Sequence, residues 1–358
     1  MDTNESTNTT MASTTSPMAK KTAEEEMADE AEIYAKYTRD WKSASSSPRR
    51  YFHNETVLSS MQFTHYTPGH IPYNTAGSTP KTLQIISIKL VEIAGGLEFP
   101  LSVYGVVAVR DTVDGSRNIL FHRRTYKAQQ LKQNDSFLCL TGPSRAIVFT
   151  DAVDFELQLG VKGTPDKALI SQARRYTGGH GPGVSSIYFK NVMCTLELCV
   201  QPVRRTVQAT ILNIHAVRKD GSWPFPHGGL VACYPLSGEF VFTDSGINHH
   251  TIERSSSRIV LVESKGRAIP NGRGAYIDLQ RQVVSVETEG ALDIIIQAYS
   301  KSGAVAKRAR VRLMPKFCGI SQEKCALCGA QVTITVAWSL VPMNNAEIGL
   351  GPCNGRIV

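Results

Sequence analysis

From residue 82 onward, apolar positions recur in short runs, many alternating with polar ones, and one such stretch returns 124 positions later without a gap. Thr82 to Ala108 reads TLQIISIKLVEIAGGLEFPLSVYGVVA, and Thr206 to Ala232 reads TVQATILNIHAVRKDGSWPFPHGGLVA. Six of the 27 positions are identical, and both copies end on aromatic-Pro-x4-Gly-apolar-Val-Ala. The first ending uses Phe99, Pro100, Gly105, Val106, Val107 and Ala108; the second uses Trp223, Pro224, Gly229, Leu230, Val231 and Ala232. A repeat of this size marks the duplication of one folding unit.

Within the first copy, Ile86, Ile88 and Leu90 predict one strand and Val103–Val109 another, parted by a turn at Gly95-Gly96. Further strands are expected at 118–122, 136–140, 146–150 and 186–200. Residues 154–161 alternate cleanly, with Phe155, Leu157, Leu159 and Val161 on one face. The Gly- and Arg-rich stretch 162–183 reads as a loop. Later echoes of the first copy, such as Leu292-Asp293 after Val153-Asp154, fall at an offset of 139, so the second copy holds about 15 extra residues in its middle. Roughly seven short strands per copy and few helix signals predict an all-β fold. It comprises two duplicated β-sandwich units in tandem, over 81–203 and 204–341, preceded by one N-terminal helix.

That helix is expected over 18–43, where Ala, Glu, Lys and Met dominate and Met27, Ala31, Tyr34 and Tyr37 make a narrow apolar stripe suited to docking on the body. Residues 1–17 are Thr/Ser/Asn-rich and expected to be disordered. Residues 44–80 read as an extended linker anchored by Phe63, Tyr66 and Tyr73, and 342–358 as a tail.

Composition narrows the setting. No run of about 18 apolar residues exists, so no transmembrane helix is expected. The first residues lack the apolar core of a secretory signal, which points to the cytoplasm, or the nucleus, and to reduced thiols for the eight cysteines. The net charge of +8 is uneven. Residues 1–40 hold nine acids and four bases, a net of −5, and the remainder holds 22 acids and 35 bases, a net of +13. An acidic head on a basic body permits contact with RNA or anionic lipid, or a clamp of head on body.

Several constellations are candidates for chemistry. Arg308, Arg310 and Arg312 alternate with small or apolar residues, so on a strand they share one face about 7 Å apart, near a phosphate spacing. Arg204 and Arg205, with Arg174-Arg175 and Arg218-Lys219, are candidates to extend this nucleic-acid or anion-binding face; a solvated strand face is the competing reading. Cys318, Cys325 and Cys328 form C-x6-C-x2-C, in which the last pair has zinc-ligand spacing but no second pair completes four ligands. The competing reading places Cys328 at the start of the last strand and the other two in the loop before it. Cys139, Cys194, Cys199 and Cys233 fall on expected strands and read as small buried apolar residues. Asp111 and Asp114 in RDTVDG suit a turn better than a calcium loop. Trp223, Phe99 and Trp338 read as core anchors; His180 and His249-His250 have no metal-like spacing. No nucleophile, base and stabiliser occur together, so no catalytic residue and no cofactor is assigned.

The phrases MQFT (61–64), 82–123, LTGPSRAIVFTDAVDFELQLGVKG (140–163), DGSWP (220–224) and VTITVAWSLV (332–341) resemble the plant family called domain of unknown function 6598, abundant in cereal grasses. The resemblance implies a β-rich intracellular domain. Some family members are fused to, or described alongside, ribosome-inactivating proteins, which implies a link to translation or defence. Ser171-Gln-Ala-Arg-Arg-Tyr176 loosely resembles the Glu-Ala-x-Arg-aromatic helix of those N-glycosidases, but Gln172 stands where the acid belongs and an amide carries no charge for the role. The expectation is therefore a non-catalytic interaction or regulatory module with a protein partner. The alternatives are a ribosome-linked protein and an RNA- or anionic-lipid-binding module.

Overall fold

The computed structural model describes residues 21–44, 51–56, 78–178, 183–243, 246–252, 258–272 and 274–343. Residues 1–17, the anchors Phe63, Tyr66 and Tyr73, His180, the side chains of His249 and His250, and the tail beyond 343 lie outside them. The expected helix is α1 (Ala23–Ala44). A capping box starts it: the Glu25 N–H donates to Thr22 Oγ1 at 3.2 Å, and the Thr22 N–H donates to the Glu25 carboxylate at 2.7 Å.

The first unit holds β1 (Thr82–Ile93), β2 (Leu101–Arg110), β3 (Asn118–Arg123), β4 (Gln129–Leu131), β5 (Val153–Val161), β6 (Lys167–Tyr176), β7 (Ser185–Lys190) and β8 (Cys194–Val203). Its sheets run β1-β8-β7 and β3-β2-β5-β6, with β4 paired to β2. The second holds β9 (Thr206–Arg218), β10 (Gly228–Thr243), β11 (Gly246–Ile252), β12 (Ile259–Lys265), β13 (Val283–Glu287), β14 (Ala291–Tyr299), β15 (Val305–Leu313), β16 (Gly319–Leu327) and β17 (Ala330–Ser339). Its sheets run β13-β9-β17-β16 and β11-β10-β14-β15, with β12 paired to β10. All named pairings are antiparallel. Each unit encloses its own apolar core, one around Phe155, Phe189 and Leu157, the other around Trp338, Ile294 and Ile334. The protein is thus all-β, two sandwiches preceded by one helix.

Three local expectations need correction. Residues 162–183 are not all loop, because β6 occupies ten of them, 167–176. Among the described strands β6 pairs only with β5, and it buries just Leu169 and Ile170, so no alternating apolar row marks it. Residues 136–140 and 146–150 pair with β1 only through isolated bridges, Lys89 with Phe137 and Thr82 with Val148. The extra residues of the second copy are a β-hairpin, Ser237–Ile252, built from the end of β10 and β11.

The repeat's identities have structural causes. Gly105 and Gly229 lie against β5 and β14, where an added Cβ would meet the Gln158 carbonyl oxygen at 2.1 Å and its counterpart on Gln297 at 2.3 Å. Val107 and Val231 are in the two cores. Thr82, Gln84, Thr206 and Gln208 join the units. The Thr82 and Thr206 hydroxyls meet at 3.1 Å. The Gln84 side-chain oxygen accepts the Ser285 N–H at 2.8 Å, and the Gln208 oxygen accepts the Ala146 N–H at 2.6 Å. Gln84 and Gln208 stand 124 apart, and Ala146 and Ser285 stand 139 apart, the two offsets of the duplication. The contact is therefore reciprocal, as in an isologous dimer. Replacing Gln84 or Gln208 by Ala strands one buried backbone N–H; each is expected to cost about 1–3 kcal/mol in chemical denaturation. Replacement of either with no loss of stability would show that the reciprocal bonds do not hold the units together.

Candidate functional site

Arg308, Arg310 and Arg312 do share one face of β15, because Ala309, Val311 and Leu313 alternate into the second core. Among the described strands β15 is an edge strand, hydrogen-bonded to β14 alone. The strand carries its own counter-ion: Asp293 on β14, whose side chain is 1% exposed. Arg312 donates to Asp293 from Nε at 2.8 Å and from Nη2 at 3.0 Å, and Arg310 Nη2 ion-pairs with the same carboxylate. Burial alone would raise the Asp293 pKa, but the hydrogen bonds from Arg312 and Arg310 outweigh it and hold the carboxyl below its ordinary range. Lys307 and Arg308 are exposed and make no ion pair with a described residue. One aspartate against four cations leaves the edge net positive.

The other arginines lie on other elements. Arg204 and Arg205 lie in the connection between β8 and β9, and Arg205 is ion-paired to Glu289 in the β13–β14 turn. Arg218 is 3.7 Å from Asp220. Arg174 and Arg175 belong to β6, in the first unit. Arg175 lies 3.6 Å from Asp154, opposite it in register, as Arg312 lies opposite Asp293. The same pair was duplicated, but with one arginine rather than two: burial dominates at Asp154 and pushes its pKa up.

The cysteine constellation comes apart. Cys325 sits on β16, and Cys328 with Gly329 forms the two-residue β16–β17 turn, both at positive φ (52° and 74°), as a type I′ hairpin requires. Cys318 precedes β16, seven positions before Cys325, about 24 Å along an extended strand. The three thiols therefore do not converge on one ion, and the last strand starts at Ala330 rather than Cys328. Cys194 is buried on β8 with its thiol pushed up to about 12 by desolvation, and desolvation raises buried Cys233 as well. Cys199 lies on β8, half-buried, while Cys139 lies outside the named strands.

Asp111 and Asp114 make a turn. Asp111 accepts the Val113 N–H and Asp114 the Ser116 N–H, while Arg145, 3% exposed, pairs with both carboxylates. Trp338 is fully buried, whereas Phe99 and Trp223 are half-buried at the rims of their cores. Gln172 lies on a strand, not a catalytic helix; its amide donates to the Glu30 carboxylate at 2.7 Å.

Sequence reading missed a charged centre beneath α1. Glu156 on β5 is buried and ion-paired to buried Arg110 and Arg117, and it accepts the Tyr37 hydroxyl at 3.0 Å. The Arg110 guanidinium lies 4.5 Å from the Trp41 ring centroid and 4.6 Å from that of Phe52. The Arg117 guanidinium lies 4.7 Å from the Phe52 ring centroid and reaches the Tyr34 hydroxyl at 3.2 Å. Toward the start of the helix, the Ser171 N–H of β6 donates to Glu30 at 2.6 Å, so α1 caps this edge. The signals were present as Glu156 on the outer row of an alternating strand and aromatic residues at 34, 37, 41 and 52, but nothing local links them.

Two tandem antiparallel sandwiches with a basic edge and a helix-capped edge define a β-rich module. Residues 82–336 match the family described as Domain of unknown function (DUF6598), and the chain belongs to it. No curated protein matches the chain in sequence. Among solved structures, human GIVD cytosolic phospholipase A2 is similar at 10% identity and a TM-score of 0.22, over 74% of this chain and 33% of that one. The chain thus spans about a third of that protein, and the likeness carries no argument. No described helix is long and apolar enough to cross a membrane.

Removing the Glu156 carboxylate leaves two buried guanidinium groups unpaired. Glu156→Ala is expected to cost about 3–5 kcal/mol and to make α1 the first segment cut in limited proteolysis; an unchanged cleavage pattern would show that the helix is held elsewhere. The two duplicated aspartates titrate in opposite senses. Asp293, with its depressed folded-state pKa, adds stability above the unfolded carboxyl range that is lost as pH falls through the folded value. Asp154, with a raised one, favours folding at low pH and loses that contribution as pH rises past the unfolded value. Asp293→Asn is expected to cost about 2 kcal/mol at neutral pH, with the deficit shrinking in acid, whereas Asp154→Asn changes stability by less than about 1 kcal/mol. Thermal melts across pH 2 to 8, roughly spanning these titrations, check both signs.

Proposed function

We propose that this protein is a non-catalytic interaction module of the cytoplasm, and that the β15 edge binds an anionic surface on a partner protein. The observation that carries the reading is the grouping of Lys307, Arg308, Arg310 and Arg312 on one exposed edge strand. Asp293 fixes two of these guanidinium groups in place, so they are presented with less conformational freedom to lose on binding. The other two are exposed and unpaired with described residues. A cluster of this kind steers an acidic partner and makes its association salt-dependent.

Lys307→Glu with Arg308→Glu tests the face without uncovering Asp293. The intact chain is expected to be retained on immobilised polyglutamate and released by salt, and the double variant to elute at lower salt with an unchanged melting temperature. Equal retention of both proteins would overturn the reading. The family resemblance supports a second one, engagement of the ribosome in plant translation or defence. Arg308-dependent co-sedimentation with intact ribosomes, with or without rRNA depurination, would favour that instead.

A further inference from the structure

The duplication makes the occupied edge of the first unit a guide to the basic edge of the second. In register, Gln158 of β5 faces Ser171 of β6, and Gln297 of β14 faces Arg308 of β15. Gln158 and Gln297 are 139 apart, the offset that relates the two units through this region. Arg308 is therefore the counterpart of Ser171, the residue whose backbone N–H donates to Glu30 of α1. The chain's own way of covering β6 is a helix with a carboxylate at that point and aromatic residues Tyr37 and Trp41 farther on. At the equivalent point the second unit offers a guanidinium, flanked by Lys307 and Arg310.

We propose that the β15 edge is the seat of an acidic, amphipathic helix from a partner protein, laid against β15 as α1 is laid against β6. The inference rests on the reading of β15 as a binding face and names the kind of partner. Three features select it. The counterpart helix is itself acidic: Glu24, Glu25 and Glu26 fill its first turn and Asp29, Glu30 and Glu32 follow. A protein helix carries side-chain carboxylates at a 5–6 Å spacing on one face, about the roughly 7 Å spacing of alternate residues on a strand. The α1 of a second copy is already committed, with Tyr34 buried and Tyr37 bonded to Glu156, so a separate protein is the better-suited donor. The seat also differs from its model. In the first unit Met27 packs against the core and touches Asn191, whereas in the second β16 packs beside β15. The partner helix is thus confined to the outer rim, where the cations stand, and binds through charge more than through a buried wedge.

The probe is a fluorescein-labelled peptide of residues 21–44, titrated by anisotropy into the full chain at low salt. A control peptide carries Gln in place of Glu24, Glu25, Glu26, Asp29, Glu30 and Glu32. Binding of the acidic peptide and not the control is expected, weakened about tenfold by Arg308→Glu and unchanged by Gln172→Ala. Loss with Gln172→Ala but not with Arg308→Glu would mean that the peptide exchanges with α1 on the first unit, and would overturn the proposal. A labelled oligouridylate that binds more tightly than the peptide, with the same Arg308 dependence, would assign the edge to nucleic acid and overturn it too. Arg308-dependent retention on polyglutamate without binding of the helix peptide removes this inference alone. No Arg308 dependence with any probe removes it together with the function proposed above.

Discussion

The two units meet through Gln84 and Gln208, each accepting a backbone N–H of the other unit, with the Thr82 and Thr206 hydroxyls in contact between them. Buried amide and hydroxyl groups tolerate few arrangements, because every donor and acceptor left over costs the full desolvation of that group. A duplicated unit meets this demand economically. A contact between equivalent surfaces needs each residue only once per unit, and then serves twice. This explains why Thr and Gln at the first and third positions are among the few identities that the two copies keep.

The sheet edges show what the duplication left free to change. β6 and β15 are equivalent edge strands, and each must avoid pairing with another chain. The first is covered by α1, which takes its Ser171 N–H through Glu30. The second carries alternating arginines, two of them tied to buried Asp293. Covering the first edge put Arg110, Arg117 and Glu156 under aromatic rings and out of water. Leaving the second charged kept cations at the surface. In the unit that carries the helix the charges face inward beneath it, and in the other they face solvent.

Both constellations that suggested metals dissolve for the same reason. Asp111 and Asp114 are spent on their own turn and on Arg145, and Cys328 is spent on a hairpin that demands positive φ at two consecutive residues. Spacing along the chain cannot distinguish a ligand from a residue that shapes the backbone, since short turns use the same residue types.

The sequence by itself determined the all-β class, the duplication, the alternation that puts Phe155 and Leu157 inward, the N-terminal helix and the shared face of Arg308, Arg310 and Arg312. These follow from periodicity, which is local and survives in any context. Only the tertiary structure decided that β6 is a strand, that Gln172 holds a helix rather than a reaction centre, and that Glu156 joins α1 to the body across 119 positions. It also decided that Asp293 pairs with two arginines of the candidate face while Lys307 and Arg308 remain exposed. Such pairings are settled by which groups lose water together, and that depends on the packing of distant segments rather than on any spacing within one.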